Sequence, residues 1–269
     1  MSQGVVTCWV EIEPQNKQKK AAEQKIWDIA AEPQLDYEIR VCVMDTKNVP
    51  CEDFEGTSDV FMKVYVDDDD KKQTDTHYRC QNGEASFNYR MLFPIKAPRE
   101  KEEYQLVLQA WDFDLFKSND YICEWVLDLG ELLKNVRLTQ QPACLTKKYY
   151  DIMLKKKMGD VKLEFMDDDT FWLTTWKDGK AIKVRLDVRI FPGKLALKQK
   201  LGEARNDPNM EPNLPPPIGR ISFSLNPFAM LAQLVSKEYL NKLYALICVL
   251  ICCACLVAMA PMLISNLVS

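Results

Sequence analysis

Three aspartates close an apolar run. In LQAWDFDLFKSND, residues 108–120, Asp112 and Asp114 alternate and Asp120 follows six positions after Asp114. Strand side chains repeat every two residues, so Asp112 and Asp114 point to one side, and a loop through 115–119 can fold Asp120 back toward them. Two like charges ~4 Å apart repel by about 4 kcal/mol at an effective dielectric near 20. Such a group persists only when solvated, protonated or holding a cation.

A second acidic pair has a matching layout. NVPCEDFEGTSD, residues 48–59, carries Asp53 and Asp59 around Gly56 and links two strand-like runs. If both loops leave the same end of a sheet structure, Asp53, Asp59, Asp112, Asp114 and Asp120 face one hole. Their carboxylates, with loop carbonyls and water, suit the roughly six to eight oxygen ligands of Ca2+ better than the shell of Mg2+. Zinc lacks its His and Cys ligands here. Phe54 tips the first loop, and Leu115 and Phe116 tip the second.

The elements that must position these groups are strands. Short alternating or β-branched runs at residues 5–12, 37–44, 59–66, 86–95, 104–111, 121–129, 161–166 and 182–190 predict an all-β antiparallel sandwich. Residues 130–135 read as one or two helical turns. The expected organisation is an N-terminal strand and linker region over 1–32, the sandwich domain over 33–192, and a charged, Pro-rich linker over 193–225 acting as a stiff spacer. In a juxtamembrane amphipathic helix over 226–242, Asn226 caps and Pro227 takes the first helical position; docking of that helix on the sandwich is the alternative. Residues 243–264 run 22 positions without a charge, long enough to cross a ~30 Å hydrocarbon layer. Lys237 and Lys242 precede this span and no basic residue follows it, which predicts a single-pass C-terminal anchor with the N-terminal domain cytosolic.

Composition narrows the function classes. Lys and Arg total 35 against 39 Asp and Glu, a formal net charge of −4, with no basic stripe of the kind nucleic acid requires. Of ten cysteines, Cys248, Cys252, Cys253 and Cys255 lie in the span. Cys8, Cys42, Cys51, Cys80, Cys123 and Cys144 are scattered without a CxxC pair, so no zinc site or disulfide framework is indicated. His77 is the only histidine, and no GxGxxG, P-loop, GxSxG or HExxH pattern occurs, which argues against an enzyme and a small-molecule substrate. Asp67–70 and Asp167–169 read as solvated turns. Lys63, Lys71, Lys72, Arg79 and Arg90 are candidates for a basic face that takes phosphoinositide heads.

Both loops resemble those of a C2 domain: D…GTSD directly before a strand, then WDFD…D with separations of two and six, in that chain order. KQTDTHYR (72–79), GEASFNYR (83–90), WKDG (176–179) and ARNDPNMEPNLPPP (204–217), ahead of NPF and an apolar span, look like the C-terminal region of ferlins. The similarity covers nearly the whole chain. Tyr89 stands where a tryptophan is usual, the span is rich in cysteine, and the arrays of preceding C2 domains are absent. The resemblance implies a C2-type β-sandwich with Asp53, Asp59, Asp112, Asp114 and Asp120 as Ca2+ ligands and Phe54, Leu115 and Phe116 as membrane-inserting tips. It implies anionic phospholipid as partner, fusion machinery or other membrane proteins beside it, and a role in vesicle tethering, fusion or repair at a vesicle or plasma membrane. A calcium-independent scaffold that binds partner proteins through the sandwich is the competing expectation.

Overall fold

The computed structural model describes residues 32–51, 56–67, 70–99, 104–114, 117–150, 162–205, 213–234 and 237–268. The chain divides into Met1–Pro33, of which only residues 32 and 33 are described, and Gln34–Ser269, which holds all that follows. The strand expected at 5–12 lies outside the described residues.

Two antiparallel sheets face each other. The first has the order β5 (Ser86–Ala97), β1 (Leu35–Lys47), β11 (Lys180–Pro192), β10 (Phe171–Lys177), β9 (Lys162–Phe165), with β8 (Ala143–Cys144) paired to β11. The second runs β3 (Lys72–Gln73), β2 (Ser58–Val66), β6 (Gln105–Asp112), β7 (Asp120–Asp128), with β4 (His77–Cys80) also paired to β2. The last strand, β11, lies beside the first, so the chain closes the first sheet only after completing the second.

Alternation builds the core. Val60, Met62 and Val64 of β2 and Leu106, Leu108 and Ala110 of β6 all point inward and are buried, as the two-residue period of a half-buried sheet requires. Ile39, Val41 and Val43 of β1 and Val184, Leu186 and Val188 of β11 meet them from the other sheet. The helix α1 (Gly130–Thr139) closes one end by burying Leu132, Leu133 and Val136. After the single turn α2 (Lys147–Tyr149), the chain returns through β9 to β11, and α3 (Gly193–Lys198) then covers β1: Arg40 donates to the Gln199 carbonyl at 2.7 Å and stacks on Phe191.

Seven of the eight expected strand runs are present, within a few residues of their expected bounds. The structure adds β10, whose FWLTTWK shows no alternation because Phe171, Trp172, Leu173 and Thr174 are buried in succession. It also adds β3, β4 and β8, too short to carry a period.

The linker differs from a free spacer. Over 213–220 it lies along the sandwich, with Leu214 buried, the Tyr78 N–H donating to the Gly219 carbonyl at 2.8 Å, and Arg220 paired to Asp75. A helix α4 (Pro227–Leu234) follows, then α5 (Lys237–Val268), whose window Asn241–Met259 is apolar enough to span a bilayer and is nowhere buried in protein.

Trp125 joins the two sheets: its indole is buried and its Nε1–H donates to the Ile182 carbonyl at 3.1 Å. Trp125→Ala is expected to cost about 3–5 kcal/mol, and Trp125→Phe, which keeps most of the bulk but loses the indole hydrogen bond, about 1–3 kcal/mol. Urea unfolding of the full chain in neutral detergent checks the order.

Candidate functional site

The acidic end is built on β2, β6 and β7. In β6 the inward row Leu106, Leu108, Ala110 ends on Asp112, so a carboxylate takes the core-facing position at the mouth of the sandwich and is 2% exposed. Register places Val60 opposite Asp112 on one side and Asp120 opposite it on the other. A bulge between Ala110 and Trp111 restores that pairing, an irregularity typical of sheet ends that re-aim side chains.

Backbone donors offset the crowding. Asp112 Oδ1 accepts the Asp59 N–H at 2.7 Å, the Phe113 N–H returns a bond to the Asp59 carbonyl at 2.9 Å, and Asp59 Oδ1 accepts the Arg79 N–H at 2.7 Å. Asp59 and Asp112 are therefore locked to each other and to β4. Asn119 closes the following loop by accepting the Asp114 N–H at 3.1 Å.

Asp114 and Asp120 meet through Lys117. Its Nζ donates to Asp120 Oδ2 at 2.6 Å and stands 3.4 Å from Asp114 Oδ2. The hydrogen bond to Asp120, with the charges of both carboxylates, pushes the lysine pKa up. Asp114 Oδ2 itself is shielded from solvent, and the Lys117 ammonium at 3.4 Å faces it without a well-aligned hydrogen bond.

Four of the five predicted ligands thus lie at one end of the sandwich; Asp53, Phe54, Leu115 and Phe116 fall outside the described residues. Among the described residues no three His, Cys, Asp or Glu stand at metal-holding geometry. The donor set nevertheless fits a hard divalent ion: every side-chain donor is a carboxylate oxygen, and a cation, the Lys117 ammonium, already sits between two of the carboxylates and against the shielded Asp114 Oδ2. Asp59 and Asp112 would hold the ion from the strand side, and Asp114 and Asp120 from the loop once Lys117 swings out.

Sequence reasoning missed Lys117, Asn119 and Arg79 as parts of this end. The first could have been found, since it lies three residues from each aspartate it touches. Arg79 contributes a backbone N–H across β4, which only tertiary pairing supplies.

The expected basic face does not form as drawn. Arg90 is fully buried, Lys72 pairs with Glu203, Arg79 reaches the Gln233 carbonyl, and Lys63 lies 3.8 Å from the centre of the Trp111 ring. These cations are divided among a buried site beside Cys42, an ion pair, a helix end and, with Lys71 over the Tyr65 ring, two aromatic faces. His77, buried in β4, accepts the Ser86 N–H on Nδ1, and burial with Arg220 nearby pushes its pKa down. It is a packed neutral imidazole.

Residues 37–145 match the family model described as "C2 domain". Myoferlin of Xenopus tropicalis is 29% identical over 250 residues, taking in 81% of this chain and 12% of that protein. Fer-1-like protein 4 of Mus musculus is 28% identical over 162 residues, 50% of this chain and 8% of the relative. The chain therefore spans about an eighth of the length of the first of these relatives or less. Among solved structures, a C2 domain of plant Extended Synaptotagmin 1 aligns at TM-score 0.35 and 17% identity, over 58% of this chain and 94% of that one. The family match ends at 145, yet β11 sits in the middle of the first sheet, so the folded unit runs on to Pro192.

With the metal chelated, Asp112→Ala is expected to destabilise by about 1–3 kcal/mol by orphaning the Asp59 N–H. Asp112→Asn retains an acceptor and removes one like charge, so its thermal midpoint should stay within a few degrees of the parent in the same scan.

Proposed function

We propose that this chain is a ferlin-like protein carrying a C2 domain, that it binds Ca2+ at the acidic end of the sandwich, and that it docks there on anionic phospholipid. The observation that carries this reading is that Asp59, Asp112, Asp114 and Asp120 come from two loops to one end of the sandwich, where Asp114 Oδ2 is shielded from solvent and faced by the Lys117 ammonium. Asp53 completes the set, and Phe54, Leu115 and Phe116 are the loop tips that enter the bilayer.

The switch is electrostatic. Metal-free, the five carboxylates oppose an anionic leaflet, with Lys117 as partial counterion. Bound Ca2+ supplies positive charge and open coordination positions that lipid phosphate oxygens can fill. Asp59 and Asp112, pinned by backbone N–H groups, keep the strand-side oxygens in place without rearrangement. Asp114 and Asp120 gain freedom when Lys117 releases them. Each apolar tip then contributes ~1.5–3 kcal/mol if fully buried and less at an interface.

The apolar helix α5 anchors the chain in a membrane with the sandwich on the cytosolic side, and the role is vesicle tethering, fusion or repair, as a binding module with no catalysis. A calcium-independent scaffold draws on one observation: Lys117 already bridges Asp114 and Asp120.

Calorimetric titration of Ca2+ into the full chain in neutral micelles separates the two. Binding heat is expected for the parent and its loss for Asp112→Asn combined with Asp114→Asn; a silent parent sinks the calcium reading in favour of the scaffold. Lys117→Gln should tighten binding by about two- to fivefold, the effect of removing one exposed competing cation. Capture on beads coated with phosphatidylserine should need Ca2+ and fail in the double variant.

A further inference from the structure

The strand β4 touches both the acidic end and the approach to the anchor. On one side, the Arg79 N–H holds the Asp59 carboxylate; on the other, Arg79 Nη1 reaches the Gln233 carbonyl of α4 at 3.5 Å. One residue earlier, the Tyr78 N–H binds the Gly219 carbonyl, and the Tyr78 ring meets Phe113 edge-on, at the root of the loop that carries Asp114.

The linker contact is built, not incidental. Arg220 forks onto Asp75, Nε to Oδ2 and Nη2 to Oδ1 at 2.7 Å each, and Nη2 also donates to the Ser86 carbonyl at 3.0 Å. Arg205 adds a second guanidinium to Asp75 at 2.8 Å. Burial alone would raise the Asp75 pKa, but the hydrogen bonds and charges of the two arginines outweigh it and hold the carboxyl below its usual range. Gly219 has φ +75°, and a Cβ there would lie 2.3 Å from the His77 imidazole. Only glycine meets both conditions.

Beyond the pin the chain stays folded back. Ser222 and Gln233 exchange hydrogen bonds in both directions, so the end of α4 returns to the linker. Phe223 and Leu225, between the two, are 84% and 92% exposed, which suits a segment lying in a bilayer interface. Eight residues lead from Gln233 to Asn241, the start of the apolar window, a reach of under about 30 Å even fully extended. The 13-residue β1 is by itself roughly 43 Å long. The tether is therefore shorter than the domain it holds.

We propose that the sandwich is pinned through Gly219 and Arg220 to the foot of its own anchor, so that the acidic loops engage anionic phospholipid of the bilayer holding α5 and not of a second one. This deepens the calcium reading and rests on it, and it narrows the role from tethering of a second membrane to fusion or repair at the anchor membrane. A trans-bridging geometry requires the loop end to face away from α5, which the contacts of Arg79 with both Asp59 and Gln233 oppose.

Trp176 reports the outcome. It is 63% exposed on the β10–β11 hairpin, beside Ala181, whose carbonyl accepts from Asn48 Nδ2 at the root of the first acidic loop. The full chain is reconstituted in vesicles of phosphatidylcholine and phosphatidylserine, and brominated lipid is placed either in those vesicles or in added protein-free ones. The Trp176 signal is the part lost in Trp176→Phe. Ca2+ is expected to increase quenching from the chain's own vesicles and leave the added ones silent. Arg220→Ala and Gly219→Ala should each reduce the first by half or more and make the second appear. Exchange of the Tyr78 amide reads the pin without Ca2+: protected in the parent, about tenfold faster in both variants. An unprotected Tyr78 amide in the parent, or Ca2+-driven quenching only from added vesicles, overturns the proposal. Ca2+ without effect in either arm, while Tyr78 stays protected, brings down the calcium reading and the docking built on it; the protection distinguishes this from a failed pin.

Discussion

A buried carboxylate at the end of a core row is the constraint from which the rest follows. Asp112 continues the inward positions Leu106, Leu108 and Ala110, so its charge is desolvated by the same packing that stabilises the sandwich. Desolvated charge must be compensated. Here the first compensation is backbone, the Asp59 N–H, and it comes from the strand paired to β6, which ties the acidic end to the register of the sheet. Further charge is brought in by Asp114 and Asp120, and a lysine from the same loop answers it. The end is thus folded in a state that tolerates its own charge, with the shielded Asp114 Oδ2 answered only by the Lys117 ammonium. On the calcium reading proposed above, a divalent ion would replace Lys117 as counterion without asking the strands to move.

The same physics explains why so much of this end is legible in the sequence. Strand periodicity is local, so the strands that carry Asp112 and Asp120, and the place of Asp112 at the end of an inward row, follow from spacing alone, whereas Asp114 lies in the loop beyond the end of β6. What spacing cannot supply is pairing. That Asp59 binds Arg79 through a main-chain N–H, or that Asp75 recruits arginines 130 and 145 residues away, depends on which strands become neighbours. Arg90 shows the opposite error. Read as one of a scattered set of cations it belongs on a surface, yet in β5 it points away from the core-facing Tyr89 and Met91 and is buried on the other face of the sheet, beside Cys42 of β1. Likewise β10 hides its strand character because it is buried on both faces, and a strand without alternation reads like any short apolar run.

The linker shows where composition misleads. Proline-rich chain is stiff and extended, and from that alone 213–217 would hold domain and membrane apart. Extended chain also docks at low cost, since little conformational entropy remains to be lost. Two residues after the prolines, Gly219 and Arg220 supply the contacts that stiffness favours: a backbone approach that no side chain permits, and a fork that satisfies Asp75.

These contacts change what the anchor means for the acidic end. A flexible tether would leave the loops free to sample any surface within its reach, and affinity alone would choose among membranes. A pinned one sets the local concentration of one membrane far above all others, because a short connection makes the second contact intramolecular. The loops then need only weak intrinsic affinity for lipid, and a small change in charge is enough to decide whether they engage. In that arrangement Lys117, worth little as an exposed ion pair, acquires leverage, because it opposes a contact that the pin has made intramolecular. The acidic end, the strand β4 and the linker therefore act as one device, in which the carboxylates supply the switch and the glycine and arginine of the linker supply the address.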